Sequence, residues 1–124
     1  WSSDVCSSDL REKGDGTFVV GLRIQPKHAN ARGIAHGGIL MTMCDIALGY
    51  RTTRSQTPNP MLTTASVKTD FAGSAKIGDW VEAHVDVQKV GGRLAFANCY
   101  LMAGDERIVH ASAVFARTGD RPSS

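Results

Sequence analysis

The stretch "NARGIAHGGILMTMCD", residues 30–45, decides how this chain is read. Two glycines, Gly37 and Gly38, open an apolar run, and between Arg32 and Arg51 the only charged residue is Asp45. Ile39, Leu40, Met43, Ile46, Ala47 and Tyr50 recur at helical spacing and define one apolar face. At about 100° per residue Asp45 points away from that face, yet its helical neighbours Met41 and Leu48 are apolar as well. The pattern predicts a helix covered nearly all round, with one carboxylate pressed into a second contact surface.

Outward from this helix the chain reads as strands. Upstream, "GDG" at 14–16 signals a turn, and "TFVVGLRIQP" alternates as a strand that ends at Pro26. Downstream, "QTPNP" (56–60) is a loop, followed by four β-branched, alternating segments at 63–71, 79–91, 93–104 and 107–117. Gly-rich or Gly-Asp turns separate them, which predicts an antiparallel meander. The order strand, long helix, four strands fits an α+β architecture in which one antiparallel sheet wraps one buried helix. "RTGDRPSS" reads as a frayed tail, with the domain ending near residue 118 and 119–124 beyond it.

The chain has 124 residues, 42% of them hydrophobic and 21% charged, the composition of one ordinary globular domain. Lys and Arg are scattered, and a formal charge of +2 argues against nucleic acid as a partner. No apolar run approaches the roughly 20 residues of a membrane span, so neither a membrane partner nor a secretion signal is expected. Cys6, Cys44 and Cys99 are odd in number and lack metal-ligand spacing, which reads as free thiols in a cytoplasmic protein. His28, His84 and His110 form no ligand pattern either, and no metal is expected.

The first ten residues, "WSSDVCSSDL", carry neither apolar period and match the in-frame translation of a common sequencing-library adaptor. Residues 1–10 are therefore read as a scar that packs poorly, with the native N-terminus missing and the domain beginning at residue 11. Removing the segment takes away Asp4 and Asp9 and leaves the chain mildly basic.

Glycines at a helix start let another group approach the backbone, and the first-turn N–H groups there lack internal partners and carry the positive end of the helix dipole. Such a terminus can stabilise an oxyanion developing on a carbonyl. A carboxylate in an apolar setting is costly unless used, as a base or as a nucleophile. Together they make a minimal acyl-transfer site. The same residues read equally as a tight turn and a paired interface acid.

The pattern N-x6-G-G-x6-D, with "TTASVKTDFAGSAKIGD" and "GGRLAFANCYL" after it, resembles the hotdog-fold acyl-CoA thioesterases of the phenylacetate-pathway (PaaI-like) branch over residues 14–117. The resemblance implies a hotdog fold and hydrolysis of acyl-CoA, with an aryl-acetyl, aromatic or medium-chain acyl group, to free acid and coenzyme A. It implies that the Gly37 amide polarises the thioester carbonyl and that Asp45 activates water or attacks directly. Asn30 then orients water or the leaving thiolate, and Thr64, seven residues before Phe71, supports the nucleophile. No cofactor is implied, since coenzyme A is part of the substrate. Sites between the subunits of a homodimer or homotetramer are implied as well.

His36, Gly38 and Phe71 flank these positions as candidate substrate contacts, although His36 reads more simply as holding the loop by a hydrogen bond. Lys89 and Arg93 beside the "GG" turn are candidates for the coenzyme A phosphates, against the plainer reading of solvated turn charges. Cys44 has no His or Asn arranged around it and reads as packing. A hydroxyacyl dehydratase using His36 with Asp45, and a non-catalytic acyl-CoA-binding or regulatory module, are the competing functions.

Overall fold

The computed structural model describes residues 9–12 and 18–120. Six strands form one antiparallel sheet: β1 (Asp9–Glu12), β2 (Phe18–Arg23), β3 (Pro60–Phe71), β4 (Trp80–Val90), β5 (Leu94–Ala103) and β6 (Glu106–Asp120). Their spatial order is β1-β2-β4-β5-β6-β3, so β1 and β3 are the two edges. One long helix, α1 (Gly37–Thr53), connects β2 to β3 and packs on one face of the sheet. The α+β expectation of one sheet wrapped around one helix holds.

Packing follows side-chain period. Along β4 to β6 alternate residues, among them Val81, Ala83, Ala97, Cys99, Leu101, Ala111 and Phe115, turn inward and are buried against α1. Small residues dominate this face, which lets the helix lie close to the strands. Gly21 serves the opposite face: a Cβ there would sit 2.1 Å from the Trp80 ring, so only glycine leaves that indole its place.

Three expectations are corrected. The buried stripe of α1 is Ile39, Leu40, Met43, Cys44, Ala47, Leu48 and Thr52, so Cys44 and Leu48 join the core, while Ile46 and Tyr50 lie at its margin. The helix is consequently not covered all round: Met41, Thr42 and Asp45 are exposed. Asp9 and Leu10, read as unstructured scar, pair with Gly21 and Val20 in β1, because an open strand edge recruits backbone whatever its side chains. Residues 1–8, including Cys6, lie outside the described residues. The tail begins later than read, since β6 continues to Asp120 by pairing Gly119 with Met61 and Asp120 with Pro60; residues 121–124 lie outside the described residues.

Candidate active site

Two groups of candidate residues lie along α1. The first surrounds its N-terminus. The loop before it is held by buried His28, whose Nδ1 accepts the Gln25 amide at 3.0 Å, and by the His28 carbonyl, which accepts the His36 amide at 2.9 Å. Asn30 Oδ1 accepts the amides of Arg32 at 2.9 Å and Ile34 at 3.3 Å, closing a turn in which Gly33 has φ +75°. Ala35 then donates to Ala75 at 2.8 Å, which ties the loop to the segment after β3.

The loop delivers His36 as the residue preceding α1, and the His36 carbonyl accepts the first helical bonds, from Ile39 at 3.1 Å and Leu40 at 3.3 Å. The amides of Gly37 and Gly38 are thus first-turn donors without an intrahelical acceptor. No acid stands in that turn to neutralise them. Phe71 lies over Gly37, its ring 3.4 Å from where a Cβ would stand, whereas nothing comes within 4 Å of one on Gly38. The His36 side chain is exposed and makes no capping hydrogen bond, so its expected loop-holding task is corrected: His28 performs it. Periodicity could not distinguish the two, since both histidines sit in loop sequence.

The second group lies two turns on. Thr64 Oγ1 donates to Asp45 Oδ1 at 3.3 Å, joining the exposed face of α1 to edge strand β3. A bulge makes this possible. Thr64 pairs with Phe115 and Ser66 with Val114, leaving Ala65 as the extra residue. Thr64 and Val67 therefore both face the helix at a spacing of three, which plain alternation forbids. An open groove of about 280 Å³ runs between Met41, Thr42 and Asp45 above and Thr64 and Val67 below. A second, of about 400 Å³, runs from Asp45 toward the C-terminal end of the helix between Ile46, Tyr50, Leu62 and Phe115.

The two groups are apart. Eight residues at about 1.5 Å rise put the Gly37 amide roughly 12 Å along the axis from Asp45. The minimal site read from "GGILMTMCD" is therefore not assembled within one chain, because a donor and a base must meet on one carbonyl. Asp45 is also exposed, and the apolar setting expected around it is not supplied by this chain.

Lys89 and Arg93 are exposed at the β4–β5 turn, at the end of the sheet where α1 finishes, and line neither groove. Arg117 organises that turn, with Nη1 donating to the Gly91 carbonyl at 3.1 Å. Cys44 and Cys99 are free and buried, and their mutual hydrogen bond with burial pushes the Cys99 thiol far up, which suits packing rather than nucleophilic attack.

Comparison with known proteins places this geometry. The model of the Thioesterase superfamily matches residues 32–110, the segment that holds Gly37, Asp45, Thr64 and Phe71. The Pseudomonas aeruginosa protein named "Putative esterase PA0474" is 43% identical over 105 residues, 85% of this chain and 78% of that protein. Among solved structures, smu.793 from Streptococcus mutans bound to acetyl CoA superposes with a TM-score of 0.82 at 22% identity, covering 94% of this chain and 92% of that one. Zebra fish thioesterase superfamily member 2 superposes at 0.79 and 22% identity, over 89% and 80%. These likenesses establish the hotdog fold. No helix among the described residues is long and apolar enough to cross a membrane.

Proposed function

Because this chain belongs to the thioesterase superfamily, we propose that it hydrolyses acyl-CoA, with an aromatic or medium-chain acyl group as in the PaaI-like branch, at sites formed between two copies. The observation that carries this reading is the pairing of two incomplete half-sites with an open edge. One end of α1 offers an amide donor without an acid, and its middle offers an acid without a donor. A two-fold axis that sets Gly37 of one copy against Asp45 of a second passes beside Met41. The same axis sets Thr64 against Phe71 of the second copy and crosses β3 between Val67 and Lys68. Met41 and Val67 line one groove, which supports a single axis for both pairs. Along that line β3 is a 12-residue strand at the edge of the sheet among the described residues, and Met41, Met61 and Phe71 are exposed apolar side chains. Closed two-fold pairing of identical edges covers them.

In such a site the thioester carbonyl oxygen lies on the Gly37 amide of one copy, which takes up the negative charge as the carbon becomes tetrahedral. Asp45 of the other copy, held by Thr64, accepts the proton of the attacking water, or attacks itself to give an anhydride that water opens. In the first route the C–S bond breaks as the tetrahedral carbon collapses, and the sulfur leaves with the proton that Asp45 took from water; in the second it breaks as the anhydride forms, and the thiolate is protonated by the water that later opens it. Label in the Asp45 carboxylate after a single turnover in heavy-oxygen water would establish the second route, since it arises only when water opens an anhydride at the Asp45 carbon. The Asn30 side-chain amide, whose oxygen is occupied by the turn, keeps its N–H donors for water or the departing sulfur. His36 and Gly38 border the thioester and Phe71 covers it; Lys89 and Arg93 are candidates for the coenzyme A phosphates of a bound substrate. Free buried thiols fit a cytoplasmic location.

A panel of acyl-CoAs tests the reading. Thiol release at rates that vary with the acyl group supports it. Hydration of an enoyl-CoA without thiol release would identify a dehydratase instead, and saturable binding without turnover a regulatory module.

A further inference from the structure

The larger groove beside Asp45 is not uniformly apolar, and its polarity is ordered along its length. It follows one face of α1 in steps of a turn, from Asp45 past Gly49 to Thr53 and Arg54. Near the acid its walls are Ile46, Gly49, Leu62, Phe115 and the Thr64 that donates to Asp45; at the far end they are Tyr50, Thr53 and Arg54. The Arg54 Cζ lies over the Tyr50 ring, 3.8 Å from its centroid, and Nη1 gives one long bond, 3.4 Å, to the Tyr50 carbonyl. Among the described residues no carboxylate lies within ion-pairing distance of it. Asp45 is the one carboxylate lining the groove, and it stands at the opposite end.

A plain hydrocarbon chain would meet this end badly, because it would strip water from a guanidinium and a hydroxyl without replacing their hydrogen bonds. An oxygen acceptor there would instead receive a charge-assisted fork of N–H donors, on a cation already fixed against an aromatic face. We infer that this groove takes acyl groups that end in an oxygen acceptor, a carboxylate best of all, and that Arg54 sets this specificity. Charge orients such a substrate, since an anionic tip is drawn to Arg54 and repelled by Asp45. Tyr50 and Arg54 lie five and nine residues beyond Asp45, about 8–13 Å along the helix axis. At about 1.3 Å of advance per extended C–C bond, that span matches an acyl chain of roughly six to ten carbons.

The inference rests on the thioesterase reading and is tested so that the two can fail separately. Thiol release is measured on octanoyl-CoA and on the coenzyme A half-thioester of octanedioic acid, with wild type, Arg54→Gln and Arg54→Lys. Arg54 is exposed and outside the core, and melting curves check that each variant folds. The expected result is a preference for the carboxylate-tipped substrate of about tenfold or more in kcat/KM, lost in Arg54→Gln and partly kept in Arg54→Lys. Release from both with octanoyl-CoA preferred, or a preference that Arg54→Gln leaves intact, would overturn this inference alone. No release from any member of a wider acyl-CoA panel would overturn the thioesterase reading and this inference with it.

Discussion

The two sides of α1 obey different rules. Its inner side, from Ile39 to Thr52, is buried against small residues of β4 to β6 and is complete within one chain. Its outer side, with Met41 43% exposed beside Thr42 and Asp45, is bounded only by the edge strand β3. The inner side explains why the domain folds. In the proposed site the outer side carries Asp45, the acid that Thr64 of β3 holds and that a second copy would complete. Chemistry and assembly are thus one problem here, and mutations should divide accordingly: inner-face changes should unfold the domain, outer-face changes should abolish function in a folded one.

The sharpest division is expected at Asp45. Asp45→Asn keeps shape and polarity but removes the proton acceptor, so turnover should fall by about 10²-fold or more with acyl-CoA binding retained. An unchanged kcat on the best substrate would reduce Asp45 to an interface acid. Met41→Glu should act on assembly instead, by placing like charges across the two-fold axis and beside Asp45. Light scattering should then report a monomer with native helix content and little activity, whereas an intact active oligomer would move the axis away from Met41. Thr64→Ala should lower kcat several-fold, since it removes one hydrogen bond of about 1 kcal/mol to the carboxylate and leaves the acid in place. The smallest and most discriminating change is Asn30→Asp, which preserves the acceptor used by Arg32 and Ile34 while deleting the side-chain N–H donors. A drop in kcat without a lower Tm would assign those donors to catalysis; a drop in Tm alone would confine Asn30 to its turn.

The inner side was also the legible one. Helical spacing located α1 and alternation located five strands within a few residues, because burial of a regular element writes its period into the sequence. The family resemblance supplied Asn30, Gly37, Asp45 and Thr64, and the structure joins Asp45 to Thr64 directly. What escaped depends on relations between segments. The bulge at Ala65 is set by the partner strand, β6, and no pattern within "TTASVKTDF" marks it. The exposure of Asp45 depends on which of two apolar arcs the sheet covers, and Leu48, which suggested a second covered face, belongs to the first. His28 rather than His36 holds the loop, because burial, not spacing, separates them.

The central claim, that each site takes its amide donor from one copy and its acid from another, is most directly tested by complementation. Asp45→Asn and Gly37→Val, a change that crowds Phe71 and the approach of the carbonyl, should each be nearly inactive alone. Co-refolded in equal amounts, with mixed dimers verified by differently tagged chains, half of the sites in each mixed dimer regain both native groups, so activity should recover to about a quarter of wild type. Mixed dimers that form but remain as inactive as either parent would mean that Gly37 and Asp45 act from the same chain, and would contradict the account.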